Sequence, residues 1–262
     1  MNPSSARRAI RRRRITPQPA IMEKPRPELL VALPVYNESA SIRDVVGNWM
    51  AALDSAVGSY VILAINDGST DHSGEILEEL RSACGDRLEV RSRDNRGHGQ
   101  SCLEAYLVAL ERGIPYILQI DSDGQSDPRY VRGFWERRGD FDVIYGKRRR
   151  LDGLARIIAS LALRVLLRLL EGVDCVDANV PYRLMNTCAC EQAIRAIPPV
   201  VSLANVALAV LLKRNPEIRH GTIAVDFPPR CGGEPSVPLS RFIVKGYELF
   251  AQLRKLRNIP TS

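Results

Sequence analysis

The chain has 262 residues, 45% of them hydrophobic and 26% charged, a balance that excludes a fibrous or low-complexity polymer and suffices for a buried core. Its formal charge of +7 is concentrated in residues 1–27, where Arg7, Arg8, Arg11, Arg12, Arg13, Arg14, Lys24 and Arg26 face Glu23 alone, so the remaining chain is balanced. Six cysteines without a CxxC pair or a histidine at ligand spacing argue against a zinc site or disulfide scaffold and fit a reducing cytosol.

Residues 1–27, rich in Arg, Ser and Pro, read as a disordered basic tail with no apolar core for a signal peptide. A solvated extension is the plain reading. Adhesion to anionic lipid is the functional one, at roughly 1 kcal/mol per basic residue near the surface. Nucleic acid is a weaker third choice, because no basic-aromatic pattern follows in the folded part.

Beyond the tail, apolar runs alternate with helical patterns. Strands are expected over 28–37, 59–67, 88–94, 116–121 and 142–148, with helices over 41–53, 72–84, 99–112 and 128–138. Continuous Val/Ile/Leu strands interleaved with helices imply an α/β fold with a mainly parallel sheet covered on both faces. Residues 28–150 form the expected core. Residues 151–262 form an appended segment of the same domain: a helix over 152–171, an irregular stretch DCVDANVPYRLMN, helices over 188–197 and 201–213, a strand over 218–227 and a closing helix over 239–256. The apolar runs 157–170 and 200–212 fall short of the ~20 residues of a spanning helix. The helix over 152–171 sets Arg156, Ser160, Arg164 and Arg168 four apart on one face. That face is either a solvated basic surface or a membrane-surface helix.

In a parallel sheet, ligands gather beyond the carboxyl ends of the strands. Four polar loops lie there: PVYNES, INDGSTD, RDNRGHGQ and DSDGQSDP. In the last, Asp121 and Asp123 flank Ser122 and point the same way on an extended strand end. Crowded carboxylates raise one another's pKa unless a cation sits among them, and Mg²⁺ takes one or two protein carboxylates with phosphate and water for the rest. Asp127 reads as a cap for a helix beginning at Pro128. In INDGSTD, Ser69 or Asp71 suits a helix cap, and Asp67, at the strand end, suits a ligand N–H. The glycines of RDNRGHGQ and a helix start can bring backbone N–H groups to a phosphate. His98 reads as a surface loop residue, and with His72 and His220 elsewhere no Ser/His/Asp or histidine-metal arrangement is legible.

The ordered set LPVYNE (33–38), NDGSTD (66–71), NRGHGQ (95–100), DSDGQSDP (121–128), YGKR (145–148) and FPPRCGGE (227–234) resembles the family 2 glycosyltransferases with the GT-A fold, specifically the polyprenyl-phosphate branch that includes dolichol-phosphate mannosyltransferase. The resemblance implies a nucleotide-sugar donor held by Pro34, Tyr36, Glu38, Asp67, Asn95, Gly97, Asp121 and Ser122. It implies Mg²⁺ or Mn²⁺ on Asp121 and Asp123, and catalysis by Asp123, Gln125, Arg148 and Arg230. A polyprenyl-phosphate acceptor would meet Arg156 and Arg183. Transfer would invert the anomeric carbon, on the cytoplasmic face of a membrane to which the protein is peripherally bound, directly or through a membrane-protein partner, with no nucleic acid involved. Two stretches depart from the family pattern: Val180 and Pro181 replace a small pair before Arg183, and Pro235 and Ser236 stand where Ser and Lys are usual. A soluble or polysaccharide hydroxyl as acceptor, with Asp123 or Asp127 as base, and a non-catalytic nucleotide-sugar binder remain the alternatives.

Overall fold

The structure is a computed structural model that describes residues 26–148 and 161–226, except 162, 166, 170, 176, 177, 179, 199, 200 and 202. Seven strands, β1 (Leu29–Val35), β2 (Tyr60–Asp67), β3 (Leu88–Arg93), β4 (Tyr116–Gln119), β5 (Val143–Arg148), β6 (Arg183–Asn186) and β7 (His220–Val225), form one sheet in the order β3-β2-β1-β4-β6-β5-β7. The helices are α1 (Ile42–Ala56), α2 (Ser73–Cys84), α3 (His98–Glu111), α4 (Val131–Glu136), α5 (Thr187–Arg195) and α6 (Ala204–Arg214). The fold is α/β, as the alternation of apolar runs and helical patterns predicts.

Every residue of β1 and β2 is buried, because helices cover both faces and neither face needs polar side chains. Leu30 and Ala32 join a core under α3, α5 and α6. Leu29, Val31, Leu33 and Val35 join a second core under α1, α2 and α4, where Trp49 meets Tyr182 edge-on at 5.5 Å and Tyr182 stacks on Phe134 at 4.4 Å.

The stretch expected to be irregular, DCVDANVPYRLMN, corrects the sequence reading. Its last four residues form β6, which pairs antiparallel with both β4 and β5. Arg183 and Asn186 interrupt the apolar run at both ends, so the strand shows no periodicity of its own, and its two neighbours supply the pairing. Among the described residues β6 alone runs against the sheet. The segment after 151 thus contributes β6 and β7 to the sheet that begins with β1.

The chain runs outward from β1 to β2 to β3 and returns through α3 to β4 on the other side of β1. That reversal creates a crevice between the ends of β1 and β4. The register widens it: β4 pairs with β1 only from Leu29 to Ala32, and Leu33, Pro34 and Val35 continue beyond the last pair. Pro34, with no N–H to donate, suits the place where the ladder on one side stops.

Candidate functional site

The loops after β1 and β2 are fastened to each other. Asn37 adopts φ 55, a left-handed conformation that Asn tolerates better than most residues. From there its N–H donates to Ser69 Oγ (3.1 Å) and its Oδ1 accepts from Thr70 N–H (2.8 Å). Glu38 N–H donates to Ser73 Oγ (2.8 Å), and Ser39 N–H donates to Asp71 Oδ2 (3.0 Å). Asp71 Oδ1 also accepts from the N–H of Ser73, the first residue of α2 (3.0 Å), while His72 stands at the N-cap position and Ser69 serves Asn37. These bonds leave Tyr36 exposed at the crevice mouth, 47% open.

Burial alone would raise the Asp71 carboxyl, but hydrogen bonds from Ser73 and Ser39 outweigh it and hold the group down to about 2. Its folded value lies below the unfolded one of ~3.9, so its contribution is complete above that value and lost as pH falls toward 2. Urea midpoints measured at pH 4.5 and pH 2.5 should therefore drop further in the wild type than in Asp71→Asn. At pH 7 the substitution should cost on the order of 1–2 kcal/mol, since one shifted unit corresponds to ~1.4 kcal/mol.

Asp67 ends β2 and is 2% exposed. Its Oδ1 accepts from Arg96 N–H (3.0 Å) and its Oδ2 from Gly97 N–H (2.7 Å), while the Arg93 guanidinium stands 2.9 Å from Oδ1. The structure thus gives this carboxylate the work of holding the loop after β3, where the sequence suggested an open acceptor for a ligand. Gly68 makes the approach possible: it sits at φ +71, and a Cβ there would lie 2.7 Å from Asn95 N. Asn95 on this loop is exposed, and Gly97, whose N–H is taken by Asp67, is half-buried.

The loop after β4 turns at once. Ser122 and Asp123 are turn residues and Gly124 follows at φ 78, so the two acids do not share an extended strand end. Asp121 keeps 28% of its side chain open, whereas Asp123 is 9% exposed with its Oδ1 accepting from Gln125 N–H (3.0 Å). Ser41, a residue that no sequence argument selected, joins two loops. Its hydroxyl, with one proton to share, lies 3.0 Å from both Glu38 Oε2 and the Ser122 carbonyl oxygen. Asp127 caps the short turn of helix Pro128–Tyr130 by accepting from Arg129 N–H (2.9 Å), as expected from Pro128.

His98 also departs from expectation. It opens α3 and brings Nε2 to 3.1 Å from Asp121 Oδ1. The part of the ring packed against the protein works against its charged form, but the Cys102 sulfur and the Asp121 carboxylate together hold its pKa above the usual imidazole value. Its place beside a glycine at the end of RDNRGHGQ was the one available signal.

On the far side of the crevice, Arg183 corrects the sequence reading. Expected to meet an acceptor, it is 0% exposed. Its Nη1 donates to the Asn205 carbonyl (3.4 Å), its Nη2 to the Ala178 carbonyl (3.1 Å), and its guanidinium lies 5.1 Å from the Tyr145 ring centre. The cause is β6: as that strand's first residue, Arg183 is paired with Gln119 and Tyr145 in the middle of the sheet. Nearby, Tyr106 Oη contacts Gln119 Oε1 (2.5 Å) and Asn205 Oδ1 (3.1 Å), forming a buried polar layer under the crevice.

Of the helix expected over 152–171, residues 161, 163–165, 167–169 and 171 are described and helical. Leu167 is buried and Glu171 pairs with Arg214 on α6. The outward side is not purely basic: Leu161, Val165 and Leu169 are 56%, 48% and 77% exposed beside Arg168, while Arg164 pairs with Asp174 at 2.5 Å. Adjacent helix positions are ~100° apart, so two fourfold-spaced series share one broad face. Among the described residues, no helix is long and apolar enough to cross a membrane. Arg156 and Arg230 lie outside the described residues, as does the side chain of Arg148.

Among the described residues no three His, Cys, Asp or Glu side chains already surround one point. A Mg²⁺ or Mn²⁺ ion shared with a diphosphate does not need three, since one or two carboxylates are its ordinary protein share. Asp121 and Asp123 fit that share.

Comparison with known proteins gives these features a context. The glycosyl transferase family 2 model matches residues 30–158. Polyprenol monophosphomannose synthase of Mycolicibacterium smegmatis is 28% identical over 168 residues, 61% of this chain and 62% of that protein. Undecaprenyl-phosphate 4-deoxy-4-formamido-L-arabinose transferase of Edwardsiella ictaluri is 31% identical over 156 residues, 58% of this chain and 47% of that protein. The matched part therefore spans less than two thirds of either relative. Among solved structures, glucosyl-3-phosphoglycerate synthase from Mycobacterium tuberculosis, in complex with Mn²⁺, uridine diphosphate and phosphoglyceric acid, superposes with a TM-score of 0.64 at 17% identity, over 89% of this chain and 80% of that one. That likeness is one of fold.

Proposed function

The chain carries a glycosyl transferase family 2 domain, and from that premise we propose that it moves a sugar from a nucleotide donor to a polyprenyl phosphate with inversion. The observation that carries the reading is the crevice between β1 and β4, where four loops converge with an exposed aromatic on one side and two carboxylates on the other. The names of two relatives, a polyprenol monophosphomannose synthase and an undecaprenyl-phosphate transferase, support that choice of acceptor.

In this reading Tyr36 offers its face to the nucleotide base, and the β1 and β2 loops, clamped through Asn37, Ser39 and Asp71, keep that face in place. Asp67 acts from behind by presenting Asn95 and Gly97. Asp121 and Asp123 would hold a divalent cation, which would supply Lewis-acid neutralisation of the charge on the departing diphosphate. Ser41 steadies the carboxylate loop through the Ser122 carbonyl. Gln125, Arg148 and Arg230 attend the phosphates, and Arg156 the acceptor. A phosphate monoester is largely ionised, with its second pKa near ~6, so such an acceptor needs no strong general base. Attack by its oxygen on the anomeric carbon forms the new bond as the bond to the nucleoside diphosphate breaks.

Incubation with radiolabelled nucleotide sugars and polyprenyl phosphate, followed by organic extraction, tests the reading. Label should enter the organic phase. Label that stays aqueous in a new glycoside would establish a hydroxyl acceptor instead, a reading favoured by the withdrawal of Arg183 into the sheet.

Peripheral binding to a membrane on its cytoplasmic side belongs to the same proposal, with Leu161, Val165 and Leu169 entering the lipid and Arg168 meeting its phosphates. Burying one leucine is worth about 1.5–3 kcal/mol. Leu169→Glu should therefore weaken co-sedimentation with anionic vesicles at least about tenfold, while leaving the melting temperature unchanged.

A further inference from the structure

The proposed mechanism makes no use of His98, yet its imidazole is built into the crevice. Half of its side-chain surface, 51%, is open, and Nε2 faces Oδ1 of the less exposed Asp121, 28% open, at 3.1 Å. Nδ1 backs onto Cys102 Sγ at 3.8 Å, one turn along α3. The residue before it is anchored, since Gly97 N–H donates to the buried Asp67 carboxylate at 2.7 Å. A half-exposed histidine with no task would not ordinarily be tethered in this way.

The spacing has a chemical meaning. Bonds from a divalent ion to nitrogen or oxygen ligands are ~2.1 Å, so two ligands at right angles on one ion lie ~3.0 Å apart. The 3.1 Å between His98 Nε2 and Asp121 Oδ1 is the length of the direct hydrogen bond they make and also lies close to that separation, so an ion that displaces the shared proton meets both atoms with little movement. Asp121 is also the more exposed of the two acids, and Asp123 Oδ1 already accepts from Gln125 N–H. With no ready-made cluster of three such side chains among the described residues, the remaining positions would be filled by diphosphate oxygens and water.

We infer that His98 and Asp121 together ligate the divalent cation, making the site a mixed nitrogen-oxygen one. The inference rests on the nucleotide-metal reading above and adds to it a ligand outside the carboxylate loop. Imidazole is a better ligand for later transition metals than for Mg²⁺, which favours all-oxygen surroundings. His98 therefore weighs against Mg²⁺ and in favour of a transition-metal ion, with Mn²⁺ the weakest of that series.

Pulsed electron paramagnetic resonance of the full chain with Mn²⁺ and UDP, and in parallel Mn²⁺ and GDP, tests this without turnover. Phosphorus coupling reports the diphosphate on the ion, and nitrogen modulation reports an imidazole. We expect both in the wild type, with the nitrogen signal altered by ¹⁵N-histidine labelling and absent in His98→Gln. In that variant, calorimetry should show Mn²⁺-nucleotide binding weakened about tenfold and Mg²⁺-nucleotide binding changed much less. Phosphorus coupling without nitrogen modulation, or nitrogen modulation that persists in His98→Gln, would overturn the role of His98 and leave the carboxylate-bound cation standing. Absence of phosphorus coupling with both nucleotides would overturn the metal reading itself and this inference with it.

Discussion

Asp123→Asn is expected to lower sugar transfer by about three orders of magnitude, because a bound cation that neutralises the leaving group is worth several kcal/mol in the transition state and ~1.4 kcal/mol is a factor of ten. The substitution is nearly isosteric, and an amide oxygen can still accept from Gln125 N–H as the carboxylate does. Stability should therefore hardly change. The check is a paired measurement: initial rates of label transfer at saturating Mn²⁺, and thermal melts without metal. A variant that melts with the wild type yet transfers at a thousandth of its rate places Asp123 in the chemistry. A variant that keeps a tenth or more of the rate would show that the acid serves the loop alone. Chelation of the wild type with EDTA should reproduce the loss, and added Mn²⁺ should reverse it.

The second large effect is structural first and functional second. Asp67→Ala removes the acceptor for Arg96 N–H and Gly97 N–H and the carboxylate beside Arg93, whose side chain is only 14% exposed. Breaking a buried ion pair by deleting one partner typically costs about 3–5 kcal/mol, since the other charge is left without compensation. Here the cost should fall toward the lower end, because Arg93 retains Glu104 at 3.2 Å. Urea unfolding should show a lower midpoint at an unchanged slope, the mark of lost stability rather than an altered unfolded state. Nucleotide affinity should fall as well, because the loop bearing Asn95 and Gly97 loses its anchor. Asp67→Asn, which keeps one acceptor oxygen, should lie between. A midpoint within experimental error of the wild type for Asp67→Ala would mean that the loop is held by other contacts.

Both variants bear on positions that are conspicuous in the sequence, though for different reasons. Asp123 stands out because carboxylates so close together need a cation. Asp67 stands out because a charged residue closes a strand that is apolar from Val61 to Ile65. For Asp67 the location is legible and the task is not. Whether a buried acid faces a ligand or its own backbone depends on where the loop after β3 passes, and that loop is separated from it by the whole of α2.

Elements α1, α2 and α3 and strands β1 to β5 follow from the amino-acid order alone, because apolar periodicity and turn formers act over a few neighbouring positions. The gathering of four polar loops at one edge follows too, since a parallel sheet puts like ends together. Strand β6, the burial of Arg183 between Gln119 and Tyr145, the Ser41 link to the carboxylate loop and the meeting of His98 with Asp121 have no such local mark. Each arises from contacts between distant parts of the chain, whose energies exist only once the sheet has assembled and its pairing partners stand side by side.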